Sequence, residues 1–361
     1  MGIASPSAEE RAVAGGVAPR RILIVSDAWA PQVNGVVRTL AAVAAEMETL
    51  GHRAEVIGPD RFRTIPCPTY PEIRLSLFPR RALARRIAVF APDALHIATE
   101  GPLGIAARAW ARRRGFAFTT SFHTRFPEYI AERTRFPAAL SYAWLRRFHG
   151  AGSGMMVATE SLRRELAARG FVRIRPWTRG VDLALFRPGP RPEWQVPRPI
   201  FLYVGRVAVE KNIAAFLDLD LPGSKVVVGE GPQLAALRRR YSDVHFAGGR
   251  HGAALASAYA AADVLVFPSR TDTFGLVLLE SLACGTPVAA FPVPGPLDVL
   301  GEAAGRVGVL DADLRRAAVK ALEIRSEPCR AYAERFTWRR TSEMFLANLV
   351  PIAGSPSVLA L

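Results

Sequence analysis

The stretch Val264–Pro287 combines acidic residues with a glycine at the start of a helical pattern. An apolar strand-like run, Val264–Phe267, leads to Asp272, and Phe274–Leu276 then begin the helix. The free N–H groups at such a helix start can receive anionic groups. Glu280 lies about two turns into the helix, where its carboxylate can accept hydrogen bonds from paired hydroxyls of a ribose. The stretch therefore predicts a ligand-binding loop with two carboxylates and a helix N-terminus.

Two cations follow an earlier strand-like run. Gly205 ends that run, and Arg206 and Lys211 fall in the loop that enters the next helix. Two cations at this spacing can hold a diphosphate and neutralise the charge that develops on a leaving group. This loop is therefore the candidate anion-binding element of the C-terminal half.

The N-terminal half has candidates of its own at strand ends. Asn34 and Gly35 precede a helix whose first N–H groups can receive a phosphate, and Asp27 stands between them and the first strand. His123 and Arg125 follow a later strand. If His123 lies in the same crevice as Arg206 and Lys211, a functional role is favoured over a purely structural one. The sequence has no G-x-G-x-x-G, which argues against a nicotinamide or flavin cofactor.

Apolar runs that alternate with helical patterns must position these residues. The predicted strands are Arg21–Ser26, His52–Gly58, Ala94–Ile97, Phe116–Ser121, Ile200–Val204, Lys225–Val228, Val244–Phe246, Val264–Phe267 and Val288–Ala290. The predicted helices are Val36–Leu50, Gly104–Arg114, Ile213–Leu219, Gln233–Tyr241, Ala253–Ala261 and Gly275–Ala283. Alternation of this kind indicates doubly wound parallel sheets, whose ligands lie at the carboxyl ends of the strands.

The 361 residues exceed the size at which single cores stop growing, so two domains are expected. Residues 187–199 hold five prolines and are interpreted as the linker. The predicted divisions are a disordered leader at 1–20, an N-terminal domain at 21–186, a C-terminal domain at 200–330, and a returning helical segment at 331–361. Glu9, Glu10 and Arg11 stand where a signal peptide needs its apolar core. The three cysteines are too widely spaced to suggest a disulfide framework or a zinc site.

The net charge of +15 is concentrated in the N-terminal half, where residues 1–190 contain 28 basic and 15 acidic residues. Such an uneven charge suggests an anionic partner: nucleic acid, a phosphorylated substrate or a membrane surface. Two segments, 79–90 and 137–148, place arginines beside apolar residues at helical spacing, which suits either a helix on an anionic membrane or a helix packed on the core. The arginines of the first segment are Arg80, Arg81, Arg85 and Arg86. No apolar stretch reaches the roughly 20 residues of a membrane-spanning helix.

These motifs resemble those of the retaining glycosyltransferases of family 4, and the resemblance covers about residues 21–350. It implies an α/β fold of the GT-B type, in which two Rossmann-like doubly wound domains face a central cleft. In that family two glutamates separated by seven residues span the donor-sugar loop. Here the pair is Asp272 and Glu280, so the first acid departs from the commoner glutamate.

The resemblance also implies a role for each candidate residue. Asp272 and the backbone of Phe274, Gly275 and Leu276 hold the transferred sugar, and Glu280 holds the ribose. Arg206 and Lys211, beside Gly205, bind the donor diphosphate, which Gly35 approaches from the N-terminal domain. His123 lies against the sugar on the acceptor side. Asp27, Asn34, Arg125, Arg80, Arg81, Arg85 and Arg86 are assigned to the acceptor or membrane side.

The implied mechanism is front-face substitution with retention at the anomeric carbon. The leaving phosphate accepts the proton of the acceptor, so no protein nucleophile is required. His123, Arg206, Lys211 and Asp272 form the expected catalytic set, with no cofactor and no metal. The two Asp-x-Asp strings, at Asp218–Asp220 and Asp311–Asp313, are interpreted as chance matches to the metal motif of a different glycosyltransferase fold.

The expected substrates are a UDP- or GDP-sugar and an acceptor hydroxyl, for which a membrane glycerolipid is favoured. The sequence around Asp27 and around His123 resembles that of family members that glycosylate glycerolipids or mannosylate lipids. We therefore expect a cytoplasmic protein, peripheral on the inner face of the cytoplasmic membrane. A transferase with a soluble acceptor and a sugar-nucleotide 2-epimerase remain alternatives. A nucleic-acid-binding protein is disfavoured because the sequence contains no recognisable motif of a nucleic-acid-binding domain.

Overall fold

The structure is a computed structural model that describes residues 20–32, 34–67, 70–128, 137–189 and 194–350. Most of the predicted leader (1–19), part of the predicted linker (190–193) and the end of the predicted C-terminal segment (351–361) lie outside these residues. Within the described ranges, no helix is long and apolar enough to cross a membrane.

The described chain groups into two units. The first unit contains the described residues up to Ser121, together with 151–153 and 349–350, and the second contains those of 122–150 and 154–348. The sequence placed its domain boundary at 187–199, and that division stays a prediction.

Fourteen strands occur in the described residues. They are β1 (Arg21–Val25), β2 (Arg53–Ile57), β3 (Thr64–Cys67), β4 (Tyr70–Ser76), β5 (Ala94–Ile97), β6 (Thr119–Phe122), β7 (Gly154–Val157), β8 (Ile174–Pro176), β9 (Ile200–Val204), β10 (Ser224–Val228), β11 (His245–Gly248), β12 (Val264–Phe267), β13 (Val288–Ala290) and β14 (Gly308–Leu310).

Thirteen α-helices are described between and after them. They are α1 (Gly35–Thr49), α2 (Arg80–Phe90), α3 (Pro102–Arg113), α4 (Ala138–His149), α5 (Glu160–Ala168), α6 (Ala214–Leu217), α7 (Leu234–Arg240), α8 (Gly252–Ala261), α9 (Leu276–Ala283), α10 (Pro294–Leu300), α11 (Leu314–Ala321), α12 (Ser326–Ala333) and α13 (Trp338–Asn348). A 3₁₀ turn, Val209–Lys211, follows β9.

Two six-stranded sheets confirm the predicted α/β class. Their strand orders are β2-β1-β5-β6-β7-β8 and β11-β10-β9-β12-β13-β14. All the pairings within the second sheet are parallel. Its order reverses between β9 and β12, and in doubly wound sheets the ligand crevice opens at such a switch point.

The three inner strands β9, β12 and β13 of the second sheet are buried on both faces. Ile200, Leu202 and Val204 of β9 pack into one core cluster, whereas Phe201 and Tyr203 pack into another. This alternation is that of a central parallel strand covered by helices on both sides, which explains its continuous apolar sequence.

The predicted strands at Ala94–Ile97, Val264–Phe267 and Val288–Ala290 have the observed bounds. The sequence analysis missed β3 and β4, which form a separate antiparallel pair. Pro66 and Pro71 lie in these strands, and proline argues against an inner strand but is tolerated in a two-stranded sheet, where both strands are edges.

Asp27 lies just after β1 and binds the start of α3. Its 6% exposed carboxylate accepts hydrogen bonds from the backbone N–H groups of Leu103 (2.8 Å) and Gly104 (3.2 Å) and from the Thr99 hydroxyl (2.9 Å). Burial raises the pKa of Asp27, although these bonds oppose the shift. A Cβ at Gly101 would meet the Asp27 Cγ at 2.5 Å, so the contact also requires a glycine there. The Asp27 side chain is thus used within the first unit, and its acceptor-side role stays a prediction.

We expect Asp27→Ala to lower the free energy of unfolding by about 3 kcal/mol, because it leaves the buried N–H donors of Leu103 and Gly104 without their acceptor. Denaturant unfolding checks this. The control is Asp60→Ala, since Asp60 is exposed and its loss should change the free energy by less than about 0.5 kcal/mol. Equal effects of the two substitutions would contradict a structural role for Asp27.

Candidate active site

An ion pair joins the loops that follow β9 and β12 at the switch point of the second sheet. The Lys211 ammonium donates to the Asp272 carboxylate. Both side chains are largely covered, with 26% and 18% of their surfaces exposed. The structure therefore brings together a predicted diphosphate ligand and a predicted sugar ligand that stand 61 residues apart in the chain.

Two further hydrogen bonds hold the same loops in register. The Asn212 amide donates to the Pro268 carbonyl (3.0 Å), and the Thr271 hydroxyl donates to the Glu210 carbonyl (3.2 Å). Asn212 adopts a left-handed conformation with φ of 52°, which asparagine tolerates better than most residues. The position of Lys211 opposite Asp272 is thus fixed by the backbone as well as by charge.

Arg206 begins the first of these loops and is half-buried. Its carbonyl accepts a hydrogen bond from the Tyr203 hydroxyl at 2.7 Å. Burial raises the pKa of Tyr203, and the negative charges of Asp272 and Glu210 raise it further. The Tyr203 hydroxyl therefore stays protonated and supports the Arg206 backbone as a donor.

Glycines allow the neighbouring turn to pack directly on this loop. A Cβ at Gly229 would lie 1.9 Å from the Gly205 carbonyl oxygen, and one at Gly231 would lie 2.3 Å from that of Val207. The Val207 N–H donates to the Glu230 carbonyl at 2.8 Å. The Val228–Pro232 turn is therefore a backbone support for the Arg206 loop.

Helix α9 begins beside Asp272 without a side-chain cap. Gly275 precedes it with φ of 85°, a conformation that glycine adopts without strain. The Phe274 side chain is buried in the core, so only its backbone is suitably placed for a ligand. A Cβ at Gly295 would meet the Asp272 carbonyl oxygen at 2.8 Å, which shows how closely the loop is packed. Leu276, the first residue of α9, is half-buried.

Glu280 lies in the second turn of α9 and is 2% exposed. Its carboxylate accepts a hydrogen bond from the Tyr259 hydroxyl of α8 at 2.8 Å. Burial raises the pKa of the nearby Cys284 to about 12, with a further contribution from the Glu280 charge. The sequence analysis missed Tyr259, and the expected contact of Glu280 with a ribose stays a prediction.

His123, just beyond β6, is tied to the same site within the second unit. Its carbonyl accepts a hydrogen bond from the Thr273 hydroxyl (2.9 Å), next to Asp272. Its Nδ1 lies 3.1 Å from the Arg179 guanidinium, and its ring contacts Trp177 edge-on. Thr273, Arg179 and Trp177 were not predicted as site residues. Arg179 and Trp177 could have been suspected because they come directly after the short strand β8.

Helix α13 packs against this same segment. Its Phe345 ring lies 5.0 Å from that of Trp177, whose indole N–H donates to the Thr341 carbonyl at 3.1 Å. Val181 also pairs with Thr337 in an isolated bridge. The C-terminal helix thereby holds the peptide that carries Arg179.

Arg125 is engaged by a carboxylate of α5. Its guanidinium makes two hydrogen bonds to Glu165, at 2.9 and 2.6 Å. Such a bidentate pair is geometrically specific. The structure thus places Arg125 near His123 in sequence but with its charge already paired.

In the first unit, the predicted phosphate-binding start of α1 is capped by its own sequence. The Asn34 side chain accepts hydrogen bonds from the N–H groups of Val36 and Val37, both at 3.0 Å. Gly35 is the first residue of the helix and is exposed. The Asn34 oxygen occupies a position that an anion can take at a helix start.

The arginines of α2 lie on the exposed side of that helix, and Arg80, Arg81, Arg85 and Arg86 are all exposed. The apolar residues of the same segment, Leu83, Ile87 and Phe90, are buried in the first unit. Of the two alternatives that the sequence left open, the helix packed on the core is therefore the correct one for these three residues. The exposed apolar side chains near the arginines are instead Phe78 (95%) and Val89 (87%).

Helix α4 shows the same division. Tyr142, Leu145 and Phe148 are buried, whereas Leu140 and Trp144 are 56% and 46% exposed. The exposed pair is four residues apart, on one face of the helix.

The two Asp-x-Asp strings have local structural roles. The Asp218 carboxylate accepts from the Tyr241 hydroxyl, Asp311 pairs with Arg316, and Asp313 caps α11. Within the described residues, no group of three or more histidine, cysteine or acidic side chains is placed to hold a metal ion.

Comparison with known proteins gives matches over both halves. Residues 33–185 match the family described as Glycosyltransferase Family 4, and residues 198–324 match the one described as Glycosyl transferases group 1. The chain is 32% identical over 306 residues to a GDP-mannose-dependent alpha-mannosyltransferase of Mycobacterium tuberculosis (strain CDC 1551 / Oshkosh), which covers 78% of this chain and 81% of the relative. It is 30% identical over 316 residues to the sulfoquinovosyl transferase SQD2 of Arabidopsis thaliana, covering 79% of this chain and 61% of that one.

Solved structures share the fold at low sequence identity. A sucrose-phosphate synthase from Thermosynechococcus elongatus gives a TM-score of 0.68 at 19% identity, and Anabaena Alr3699/HepE in complex with UDP and glucose gives 0.65 at 14%. Each comparison covers 91% of this chain and 98% of the other. The two parallel sheets and these matches confirm the GT-B fold expected from the sequence. The protein belongs to glycosyltransferase family 4.

Proposed function

We propose that this glycosyltransferase transfers mannose from GDP-mannose to the hydroxyl of a membrane glycerolipid, with retention at the anomeric carbon. The observation that carries the proposal is the Lys211–Asp272 ion pair at the switch point of the second sheet. The pair supports the proposal because it brings a cation that can bind a diphosphate next to a carboxylate that can bind sugar hydroxyls.

Lys211 and Arg206 are assigned to the donor diphosphate. As the bond from the anomeric carbon to the diphosphate oxygen breaks, negative charge grows on that oxygen, and fixed cations stabilise it. The acceptor oxygen bonds to the anomeric carbon from the same face, and its proton passes to the departing diphosphate oxygen. All bonding changes are then accounted for without a protein nucleophile.

Asp272 is assigned to the sugar, where its carboxylate stabilises the positive charge that develops on the ring as the bond from the anomeric carbon to the diphosphate breaks. Donor binding changes the environment of this carboxylate, because Lys211 must share its charge between Asp272 and the incoming diphosphate. The start of α9 supplies N–H groups beside it, and His123 is held nearby through Thr273. Glu280 is assigned to the ribose, a contact that requires the Tyr259 hydroxyl to share it.

GDP-mannose is favoured as donor because several similar relatives are named as GDP-mannose-dependent mannosyltransferases. The alternative is a UDP-sugar, the donor type suggested by the UDP-bound structural neighbours. A panel of GDP- and UDP-sugars, with products identified by mass spectrometry, decides between them, and NMR of the product anomer tests retention.

The membrane part of the proposal rests on the exposed face of α2. Four exposed arginines lie beside the exposed Phe78 and Val89 side chains in the first unit. Cations with apolar neighbours suit an anionic lipid interface. We therefore propose peripheral attachment to the inner face of the cytoplasmic membrane, where a glycerolipid acceptor is available.

The Lys211–Asp272 pair provides the first test of the donor site. We expect Lys211→Met to lower kcat/KM by roughly 100-fold, the scale of a lost transition-state charge contact, and Asp272→Asn to lower mainly kcat. Each single variant should also lower the melting temperature, because it leaves a half-buried charge without its partner.

The double variant separates function from stability. We expect Lys211→Met with Asp272→Asn to recover the melting temperature but not the activity. Arg239→Met, a change at an exposed position of α7, should alter neither. Recovery of activity in the double variant would mean that the pair is structural and would overturn the donor-site assignment.

Catalysis without a metal gives a second prediction. Because the proposed charge stabilisation comes from Arg206, Lys211 and helix N–H groups, EDTA should leave the initial rate unchanged. Loss of activity in EDTA that Mn²⁺ restores would contradict the metal-independent mechanism. A metal-dependent glycosyltransferase assayed in the same buffer serves as the control for chelation.

Attachment to membranes should be electrostatic. Replacing Arg80, Arg81, Arg85 and Arg86 by serine should weaken binding to anionic liposomes by about 1 kcal/mol per charge, measured by co-sedimentation. Binding by the unaltered protein should fall as salt rises from 0.1 M to 1 M, since the Debye length drops from about 10 Å to about 3 Å.

A control variant that loses the same number of charges elsewhere shows whether liposome binding depends on the α2 arginines or only on the net charge of the protein. Serine at the exposed Arg238, Arg239, Arg240 and Arg306 of the second unit should leave most of the liposome binding intact. Equal losses in the two variants, or equal binding to neutral and anionic liposomes, would contradict the α2 surface. Transfer to a soluble acceptor without any liposome binding would favour the soluble-acceptor alternative.

A further inference from the structure

Arg179 is a buried cation that the sequence analysis did not single out. Its side chain is 6% exposed, and its guanidinium stacks over the Trp177 ring at 4.6 Å. Nη1 donates to the carbonyls of Trp177 (2.7 Å) and Thr178 (3.1 Å), which leaves Nη2 directed at the His123 Nδ1. In the part of the chain that the structure describes, no carboxylate forms an ion pair with Arg179.

The contact with His123 fixes the direction of its hydrogen bond. Burial lowers the pKa of Arg179 to about 9, which still leaves the guanidinium protonated at neutral pH. A protonated guanidinium has donors and no acceptor. The His123 Nδ1 must therefore accept, and the proton of the neutral imidazole must lie on Nε2.

The charge of Arg179 opposes a second proton on the His123 ring. Arg179 faces the ring from the segment after β8, whereas the charge of Arg125, two residues further along the segment of His123, is paired with Glu165 and lies 3.9 Å from Glu128. From the loop after β12, Thr273 binds the His123 carbonyl, and the adjacent Asp272 is neutralised by Lys211. Protonation at Nδ1 would also break the bond from Arg179 and set two cations in contact, at a cost that burial increases.

We infer that Arg179 is a positioning residue that holds His123 as the neutral tautomer with its proton on Nε2. In that form the donor of His123 lies on the buried Nε2 atom, and the ring neither gives up nor takes up a proton during turnover. The assignment of that donor to the transferred sugar rests on the proposed function, whereas the tautomer itself does not. The role agrees with a mechanism in which the proton of the acceptor passes to the diphosphate.

Substitutions at Arg179 separate charge from hydrogen bonding. Arg179→Lys keeps the charge and a donor, Arg179→Gln keeps a donor without the charge, and Arg179→Met keeps neither. Arg173→Met is the matched control, because Arg173 is an exposed arginine on the same segment. Circular dichroism of each variant reports whether it is folded.

NMR of the ¹⁵N-labelled histidine rings reads the tautomer directly in the ligand-free protein. The His123 signals are assigned by their loss in His123→Gln. In the unaltered protein we expect a protonated Nε2 and an unprotonated Nδ1, with the second proton taken up only below the ordinary histidine pKa of about 6.5. Arg179→Lys and Arg173→Met should give the same His123 ring signals as the unaltered protein. Arg179→Gln and Arg179→Met should let His123 titrate near the ordinary histidine pKa of about 6.5.

Activity provides an independent readout. With a histidine that titrates near pH 6.5, kcat/KM of Arg179→Met should be about fourfold lower at pH 6 than at pH 8, relative to the unaltered protein. A proton on Nδ1 in the unaltered protein, or titration unchanged in both folded neutral variants, would overturn the inference. If Arg179→Met does not fold, Arg179→Gln and Arg179→Lys give the same comparison. Should the glycosyl transfer itself fail, the NMR series still decides the role of Arg179.

Discussion

The cross-linking of three loops within the second unit is the constraint on which the candidate site depends. The Lys211–Asp272 pair joins the loops after β9 and β12, and the Thr273 hydroxyl joins the latter to His123. These polar bonds act together with buried apolar residues of the loops, such as Val207 and Phe274, to set the positions of the loops. The buried sheet determines where each loop begins, and these bonds determine the positions of the loop residues relative to one another.

The sequence was a sound guide to the parallel sheets because their inner strands, such as β9 and β12, are buried on both faces. Val264–Phe267 must be apolar throughout, which distinguishes it from its surroundings, and its end therefore located Asp272 correctly. Helix α2 shows the limit of such patterns. The spacing of Leu83, Ile87 and Phe90 is the same for a face that packs on a core and for one that lies on a membrane, and only the tertiary structure distinguishes them.

Contacts between residues that are distant in the chain could not be predicted from a single sequence. Asp272 and Lys211 were each predicted, but their mutual ion pair depends on β9 and β12 being neighbours in the sheet. Tyr259 was missed because a tyrosine in an alanine-rich helix is typical of a core position, and it is indeed buried. Arg179 was missed because arginine is ordinarily exposed, and its burial depends on Trp177 and the contacts of α13.

The Lys211–Asp272 pair also bears on selectivity among the many anions of a cell. Because Asp272 already neutralises Lys211, a lone inorganic phosphate gains little attraction there and must compete with a carboxylate held in place by the backbone. A ligand that brings a diphosphate together with sugar hydroxyls offers each member of the pair a new partner at once. Opening the pair is therefore unfavourable for a ligand that offers a new partner to only one of the two side chains, because the other is left as an unpaired, partly buried charge.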